Sequence, residues 1–211
     1  MAYIVILGIN HYDPLGRSKI AQFLTENKET FIPDCIAVEW KQSLAKVVIS
    51  QREDLRELLK TSFPILGEKD LTLLANSIAF ESDSHISIYP NLPIIWLDNY
   101  RDMNENSEII KNYAHDRYNI LSSIINKGYY DCIEISKQTC NQEYEEAKAT
   151  ERDQLFNNTI KQIIKNKEYN NIVCVVGVNH SYSRIEGVFA NLLIKDGNTV
   201  KTVDLTKTIE E

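Results

Sequence analysis

Two short runs of Val and Ile, one near each end of the chain, stop at a glycine that is followed by closely similar residues. Residues 4–11 read IVILGINH and residues 173–180 read VCVVGVNH. A β-branched run of this length is typical of a buried parallel strand, and Gly lets the backbone turn sharply where the strand ends. Open α/β sheets build their ligand sites at the carboxyl ends of such strands. The repeat therefore predicts that strands from opposite ends of the chain bring His11 and His180 to one cleft.

Strand-like and helix-like patterns alternate along the chain, and this alternation predicts an α/β fold with a mainly parallel central sheet and flanking helices. At 211 residues, the length favours a single domain over 1–211. Residues 104–169 are helical in pattern for most of their length, which predicts either an inserted helical lid or ordinary crossover helices. The predicted strands are Tyr3–Leu7, Cys35–Val38, Pro93–Leu97, Asn171–Val176 and Thr199–Leu205. The predicted helices are Ser18–Asn27, Ser43–Lys60, a helix capped by Asp70 that runs to about Glu81, and Ser183–Ile194.

The composition excludes several classes of partner. The net charge of −7, with no local cluster of Lys and Arg, argues against a nucleic-acid surface. No run reaches the ~18 apolar residues that span a bilayer, and the first apolar run is too short for a signal peptide. The four cysteines form no CxxC pair, and Cys35 and Cys174 lie inside predicted strands as buried thiols. These features favour a reduced, cytoplasmic protein with no membrane or nucleic-acid partner.

Ionisable residues follow four of the predicted strands. His11 and His180 follow the first and fourth, Glu39 follows the second, and Asp98 follows the third, with Arg101 close behind. Strand ends are commonly solvent-exposed, so charge at any one of them has an ordinary explanation. Their combined occurrence favours a shared site.

These motifs resemble the TraB/Tiki superfamily, which also includes the erythromycin esterases, the ChaN-like haem-binding proteins and a domain of a bacterial toxin. The signature of that family is a pair of GxxH motifs, with a Glu after the second strand and an Arg on a helix between the motifs. Here these are GINH at 8–11, PDCIAVE at 33–39, ERD at 151–153 and GVNH at 177–180, a set most similar to the TraB branch. The segment LDNYR at 97–101 departs from that branch's Asp-Arg element by two extra residues, so Asp98 and Arg101 are weaker candidates for substrate binding.

Two chemical schemes use the same residues. His11, Glu39 and His180 match the ligands of a catalytic Zn²⁺ or Mn²⁺ that keeps an open position for water. Without a metal, one His oriented by Glu39 acts as general base on water, and the other stabilises the oxyanion. Arg152 clamps a carboxylate or phosphate of the substrate, or stabilises an oxyanion. The alternative for Arg152 is an exposed helix salt bridge with Glu151 or Asp153.

The leading hypothesis is a hydrolase that cleaves an amide or ester bond of a small-molecule or peptide substrate, with His11, Glu39, Arg152 and His180 as catalytic residues. The alternatives are a binding module that holds haem, a metal or a small ligand in the same cleft, and a scaffold without a working site. The other histidines, His85 and His115, are expected in a solvated loop and on a helix surface. No nucleophile-elbow sequence surrounds Ser181, which argues against a serine nucleophile there.

Overall fold

The structure, a computed structural model, describes residues 1–11, 13–100, 147–166 and 169–206. Five parallel strands in this part of the chain form one sheet, and they are β1 (Tyr3–Ile9), β2 (Cys35–Val38), β3 (Ile94–Trp96), β4 (Asn171–Gly177) and β5 (Thr199–Asp204). Their order across the sheet is β3-β2-β4-β1-β5. The predicted parallel α/β fold is therefore confirmed. Most of the predicted helical segment 104–169 falls outside the described residues.

Helices connect the strands and cover both faces of the sheet. They are α1 (Gly16–Asn27), α2 (Gln42–Ser50), α3 (Arg52–Ser62), α4 (Glu68–Ala75), α5 (Glu151–Lys165) and α6 (Phe189–Lys195). Short 3-10 turns cover Phe80–Ser82, Leu97–Tyr100 and Val178–Ser181. The last two of these turns directly follow β3 and β4, so they lie at the carboxyl edge of the sheet.

Successive side chains of β1 enter two different hydrophobic cores. Val5 and Leu7 pack on the face covered by α1 to α4, where Leu24 and Phe80 are buried. Ile4 and Ile6 pack on the opposite face, against α5 and α6. A strand that is buried on both faces appears in the sequence as a continuous apolar run. The position of β1 was therefore predictable from the local sequence.

The predicted helix Ser43–Lys60 is wrong in its continuity, because two helices occupy the region. The chain turns at Gln51, whose N–H bonds to carbonyls of Val48 and Ile49 instead of continuing the helical ladder. Glu53 and Asp54 then lie in the first turn of α3, where acidic side chains stabilise a helix N-terminus.

The next helix also differs from its prediction. It begins at Glu68 with Gly67 at the cap position, so Asp70 lies in the first turn instead of capping the helix. It ends at Ala75, and Glu81 belongs to the separate turn Phe80–Ser82. That turn follows Ala79, whose backbone is left-handed with φ of 50°.

The predicted helix Ser183–Ile194 begins too early. Residues 183–188 form turns, and the helix starts at Phe189. Gly187 has a φ of 78°, a left-handed conformation that interrupts a right-handed helix.

Candidate active site

The two glycine-histidine motifs meet at the carboxyl edge because β1 and β4 are adjacent strands. A Cβ placed on Gly177 would lie 3.0 Å from Nε2 of His11, and one on Gly8 would lie 2.7 Å from Oγ of Ser181, the residue after His180. Each motif's glycine therefore leaves the space that a side chain of the other motif's loop occupies. The glycines are required by close packing between the two motifs.

Glu39 lies between the two histidines. Its Oε2 is 3.4 Å from Nε2 of His11 and its Oε1 is 3.5 Å from Nε2 of His180. The Glu39 side chain is only 4% exposed, and its Oε2 also accepts a 2.6 Å hydrogen bond from the Gly177 N–H. The three residues thus converge, as the neighbouring strand ends predicted.

A second carboxylate holds the far side of each imidazole. Nδ1 of His11 contacts Oε1 of Glu81, and Nδ1 of His180 lies 2.7 Å from Oδ1 of Asp153. The result is one continuous chain of alternating carboxylates and imidazoles. We call this chain the five-residue relay: Glu81, His11, Glu39, His180 and Asp153.

The outer carboxylates have their own donors. The indole Nε1 of Trp40 donates to Oε2 of Glu81 over 3.1 Å. The backbone N–H of Phe189 donates to Oδ1 of Asp153 over 2.8 Å, and that of Thr150 donates to its Oδ2 over 2.7 Å. Both outer side chains are 1% exposed. The relay is therefore fixed at both ends by buried hydrogen bonds.

Arg152 points at the relay. Its Nη1 lies 2.6 Å from Oε1 of Glu39, and its Nε and Nη2 donate to the carboxylate of Asp98 at 3.2 and 2.5 Å. Its guanidinium also lies 5.2 Å from the ring centre of Phe156. The fork joins the strand-end carboxylates Glu39 and Asp98, so the structure places Arg152 in the cleft that the sequence predicted for it. Arg101 lies outside the described residues.

The surroundings hold both imidazoles in the charged form. Burial alone lowers the pKa of His11, but Glu39 and Glu81 raise that pKa to about 9. Burial likewise opposes the charge on His180, while Glu39 and Asp153 raise its pKa to about 10. At neutral pH both imidazoles therefore carry a proton.

The carboxylates shift in the opposite direction. Burial raises the pKa of Glu39, but His180, His11 and Arg152 together hold it well below its usual range. Burial also opposes the charge on Asp153, and its hydrogen bond and charge interaction with His180 lower its pKa. These carboxylates remain ionised at neutral pH.

The imidazoles are oriented as metal ligands often are, with Nδ1 bonded to a carboxylate. The remaining donors do not fit a cation as arranged, because the Arg152 charge already lies on Oε1 of Glu39. Within the described ranges, no three His, Cys, Asp or Glu side chains are grouped so as to hold a metal ion. Metal dependence stays a prediction.

Sequence reasoning missed both outer carboxylates as parts of the site. Asp153 stands within the ERD segment but was treated only as a local salt-bridge partner of Arg152. No local sequence pattern marks Glu81 as a site residue, and it was expected at the end of a helix. It reaches His11 only because the chain turns at Ala79, directly before the 3-10 turn that carries Glu81.

His85 was predicted to be solvated, and that prediction is wrong. The residue is 1% exposed, and none of the described residues provides a hydrogen-bond partner for its Nδ1. Burial accordingly lowers its pKa. Ser181 is buried, and its hydroxyl donates to the carbonyl of Val178 over 2.6 Å. This hydrogen bond is not to a general base that could activate the hydroxyl as a nucleophile. His115 lies outside the described residues.

None of the helices in the described ranges combines the length and the apolar character needed to cross a bilayer. The chain was also compared with known proteins. It matches no protein-family model, and no curated protein or solved structure matches it either.

Proposed function

We propose that this protein hydrolyses an ester or amide bond by general acid–base catalysis. The observation that carries the proposal is the five-residue relay, in which both Nδ1 atoms are anchored by carboxylates and both Nε2 atoms face Glu39. A carboxylate on Nδ1 fixes the tautomer and orientation of an imidazole, so that Nε2 performs the proton transfer. The relay contains two such pairs directed at one point.

The separations around Glu39 leave both Nε2 atoms available for reaction. At 3.4 and 3.5 Å they exceed the usual length of an N–H···O hydrogen bond. Glu39 therefore attracts both protonated rings without tightly bonding either of them. A water molecule or a substrate carbonyl can compete for the same Nε2 atoms.

We propose that the two histidines divide the acid and base roles, in the order of their pKa values. His11, with the lower pKa of about 9, loses its proton first and takes the proton of the attacking water. His180, with a pKa of about 10, stays protonated, stabilises the developing oxyanion and protonates the leaving group. We accordingly expect kcat/KM to rise through pH about 9 and to fall above about 10.

The charge of the cluster favours a neutral scissile group. Four carboxylates surround three cations, which leaves a formal charge of −1 when every group is ionised. A cluster of this sign does not attract a phosphate to the reacting position. Esters and amides are neutral at the carbonyl, so they fit the proposed reaction.

The proposal also covers the cellular compartment of this protein and the family to which it belongs. We propose a member of the TraB/Tiki superfamily that acts in the cytoplasm on a small molecule or peptide. Support for the setting comes from Cys35 and Cys174, which are buried free thiols and persist best under reducing conditions. Support for the family comes from the convergence of His11, Glu39, Arg152 and His180.

The test is hydrolysis of a panel of 4-nitrophenyl esters and anilides, with His11→Gln and His180→Gln as variants. We expect each variant to lower kcat/KM by about 100-fold or more, because general acid–base transfer contributes that much. Glu68→Gln, on the exposed surface of α3 and α4, is the matched control and should retain the wild-type value. Full activity in both histidine variants would contradict the assignment.

Two further measurements separate the alternatives. Elemental analysis and chelator treatment test the metal scheme: one bound equivalent of Zn or Mn, with activity lost on chelation, would contradict the metal-free mechanism. An absorption spectrum tests the binding module: bound haem without turnover of any ester or amide would favour that alternative.

A further inference from the structure

We propose that a cleft beside the relay binds a carboxylate carried by the substrate away from its scissile bond, with Arg184 as the principal ligand. The cleft has a volume of about 310 Å³ and is lined by the 181–185 segment and by β5. The inference rests on the proposed hydrolase function, which it deepens by naming a substrate class.

The position of the cleft follows from the turn Val178–Ser181. That turn carries His180 toward Glu39, and its next residue, Ser181, packs against Gly8 of β1. The far wall of the cleft comes from Thr202 and Asp204 of β5, the strand that pairs with β1 on the side away from β4. The cleft and the relay therefore both lie at the carboxyl end of β1.

The cleft lining contains one carboxylate, Asp204, and one cation, Arg184. Asp204 already accepts a 3.0 Å hydrogen bond from the Thr206 N–H, and the Thr206 hydroxyl contacts the same oxygen. Arg184 is exposed, and none of the carboxylates in the described ranges forms an ion pair with it. Its guanidinium retains its donors for a ligand.

The donors fit a carboxylate better than a phosphate. The planar fork of Arg184 binds the two oxygens of a carboxylate side by side, and the hydroxyls of Ser183 and Thr202 in the same cleft can add hydrogen bonds. One arginine and one carboxylate give the cleft lining a formal charge of zero, which disfavours a dianionic phosphate more than a monoanion. The substrate class is accordingly an ester or amide with a second, ionised carboxyl group.

The experiment compares esters that differ only in the remote carboxylate. The 4-nitrophenyl monoesters of succinate and glutarate are paired with the butyrate and valerate esters of equal chain length. We expect wild-type protein to prefer the carboxylated member of at least one pair, and Arg184→Ala to lower that ratio of kcat/KM about tenfold, mainly through KM. Arg56→Ala, at a half-buried arginine of α3 that pairs with Glu68, is the control and should keep the wild-type ratio.

Direct binding keeps this proposal separable from the proposed function. Glutarate and inorganic phosphate are titrated into wild-type protein and Arg184→Ala, and binding is followed by calorimetry and by NMR shifts. Glutarate binding that Arg184→Ala weakens supports the carboxylate cleft even if no ester is turned over, in which case only the hydrolase proposal fails. An unchanged ester ratio in Arg184→Ala, or tighter binding of phosphate than of glutarate, would overturn the assignment of a carboxylate to this cleft.

Discussion

The two ends of the relay have the same chemistry and different construction. The His180 arm, formed by His180 and Asp153, takes its carboxylate from the first turn of α5, where backbone N–H groups of Thr150 and Phe189 hold it. The His11 arm, formed by His11 and Glu81, takes its carboxylate from an isolated 3-10 turn, where the Trp40 indole donates to it. An equivalent orientation of two imidazoles can thus come from a helix start or from a long-range contact.

This difference has a consequence for how each arm is maintained. The donors to Asp153 are backbone groups at the starts of α5 and α6, so the His180 arm is complete once these two helices pack together. The donor to Glu81 is a side chain from the end of β2, and the turn that carries Glu81 follows the left-handed Ala79. The His11 arm therefore depends on a side-chain donor and on a contact between more distant segments.

The largest expected effect comes from neutralising each outer carboxylate. Glu81→Gln removes a charge that raises the pKa of His11, so the ascending limb of the pH–rate profile should move below pH 9. Asp153→Asn removes a charge that raises the pKa of His180, so the descending limb should move below pH 10. We expect kcat to fall by about 100-fold in either variant.

Ester hydrolysis from pH 6 to 11, with NMR titration of the imidazoles, measures these shifts. Asp54→Asn, in the first turn of α3 and outside the relay, serves as the control for a lost charge. If both variants moved the same limb, the assignment of separate roles to His11 and His180 would be wrong.

The pH dependence of stability tests the two arms together. Both folded-state histidine pKa values lie above the ordinary 6.5, so their contribution to stability is fully present below pH 6.5 and is lost as pH rises through 9 and 10. The pKa values of Glu39 and Asp153 are lowered, so their contribution is present above pH about 4.5 and is lost at more acidic pH.

Urea unfolding at pH 5, 7, 9 and 10.5 measures this dependence. We expect the free energy of unfolding to fall by at least about 1 kcal/mol between pH 7 and 10.5. The double variant His11→Gln/His180→Gln should show a weaker alkaline decline. An equally steep decline in that variant would assign the effect to other groups.

The smallest expected effect concerns the backbone of the His11 arm. Ala79 is the described non-glycine residue with a positive φ, and a Cβ there costs energy that glycine avoids. Ala79→Gly should therefore raise the free energy of unfolding by about 0.5–1 kcal/mol. Urea denaturation at pH 7 measures the change, and Ala45→Gly, inside α2, should instead destabilise by a similar amount. Destabilisation by Ala79→Gly would mean that the packing of the Ala79 methyl outweighs the strain.

The parts of the fold that were predictable are those written into local patterns. Continuous apolar runs predicted most of the strands. The positions directly after these runs indicated His11, Glu39 and His180 as site residues, because the ends of neighbouring parallel strands lie at one edge of the sheet. Arg152 was predictable through the family resemblance. The helix break at Gln51 and the late start of α6 depend on single backbone conformations that periodicity does not reveal.

The rest of the site depends on contacts between distant segments. Glu81 reaches His11 across 70 positions of sequence, and no local pattern encodes that approach. The burial of His85 was missed for the same reason. The polar residues beside it in sequence indicated an exposed loop, whereas the folded chain buries it. Asp98 was a weak candidate by motif spacing, yet Arg152 binds it directly. Charge partners across a fold are set by topology more than by local spacing.

The place of β1 in the sheet has a consequence for synthesis on the ribosome. In the described part of the chain, β1 pairs only with β4 and β5, which emerge more than 160 residues later. β1 therefore waits for β4 and β5, whereas β2 and β3 can pair earlier. His11 gains its neighbour His180 only when the second glycine-histidine motif has left the ribosome. A partly synthesised chain cannot assemble the relay, so any activity begins only once both halves of the sheet have joined.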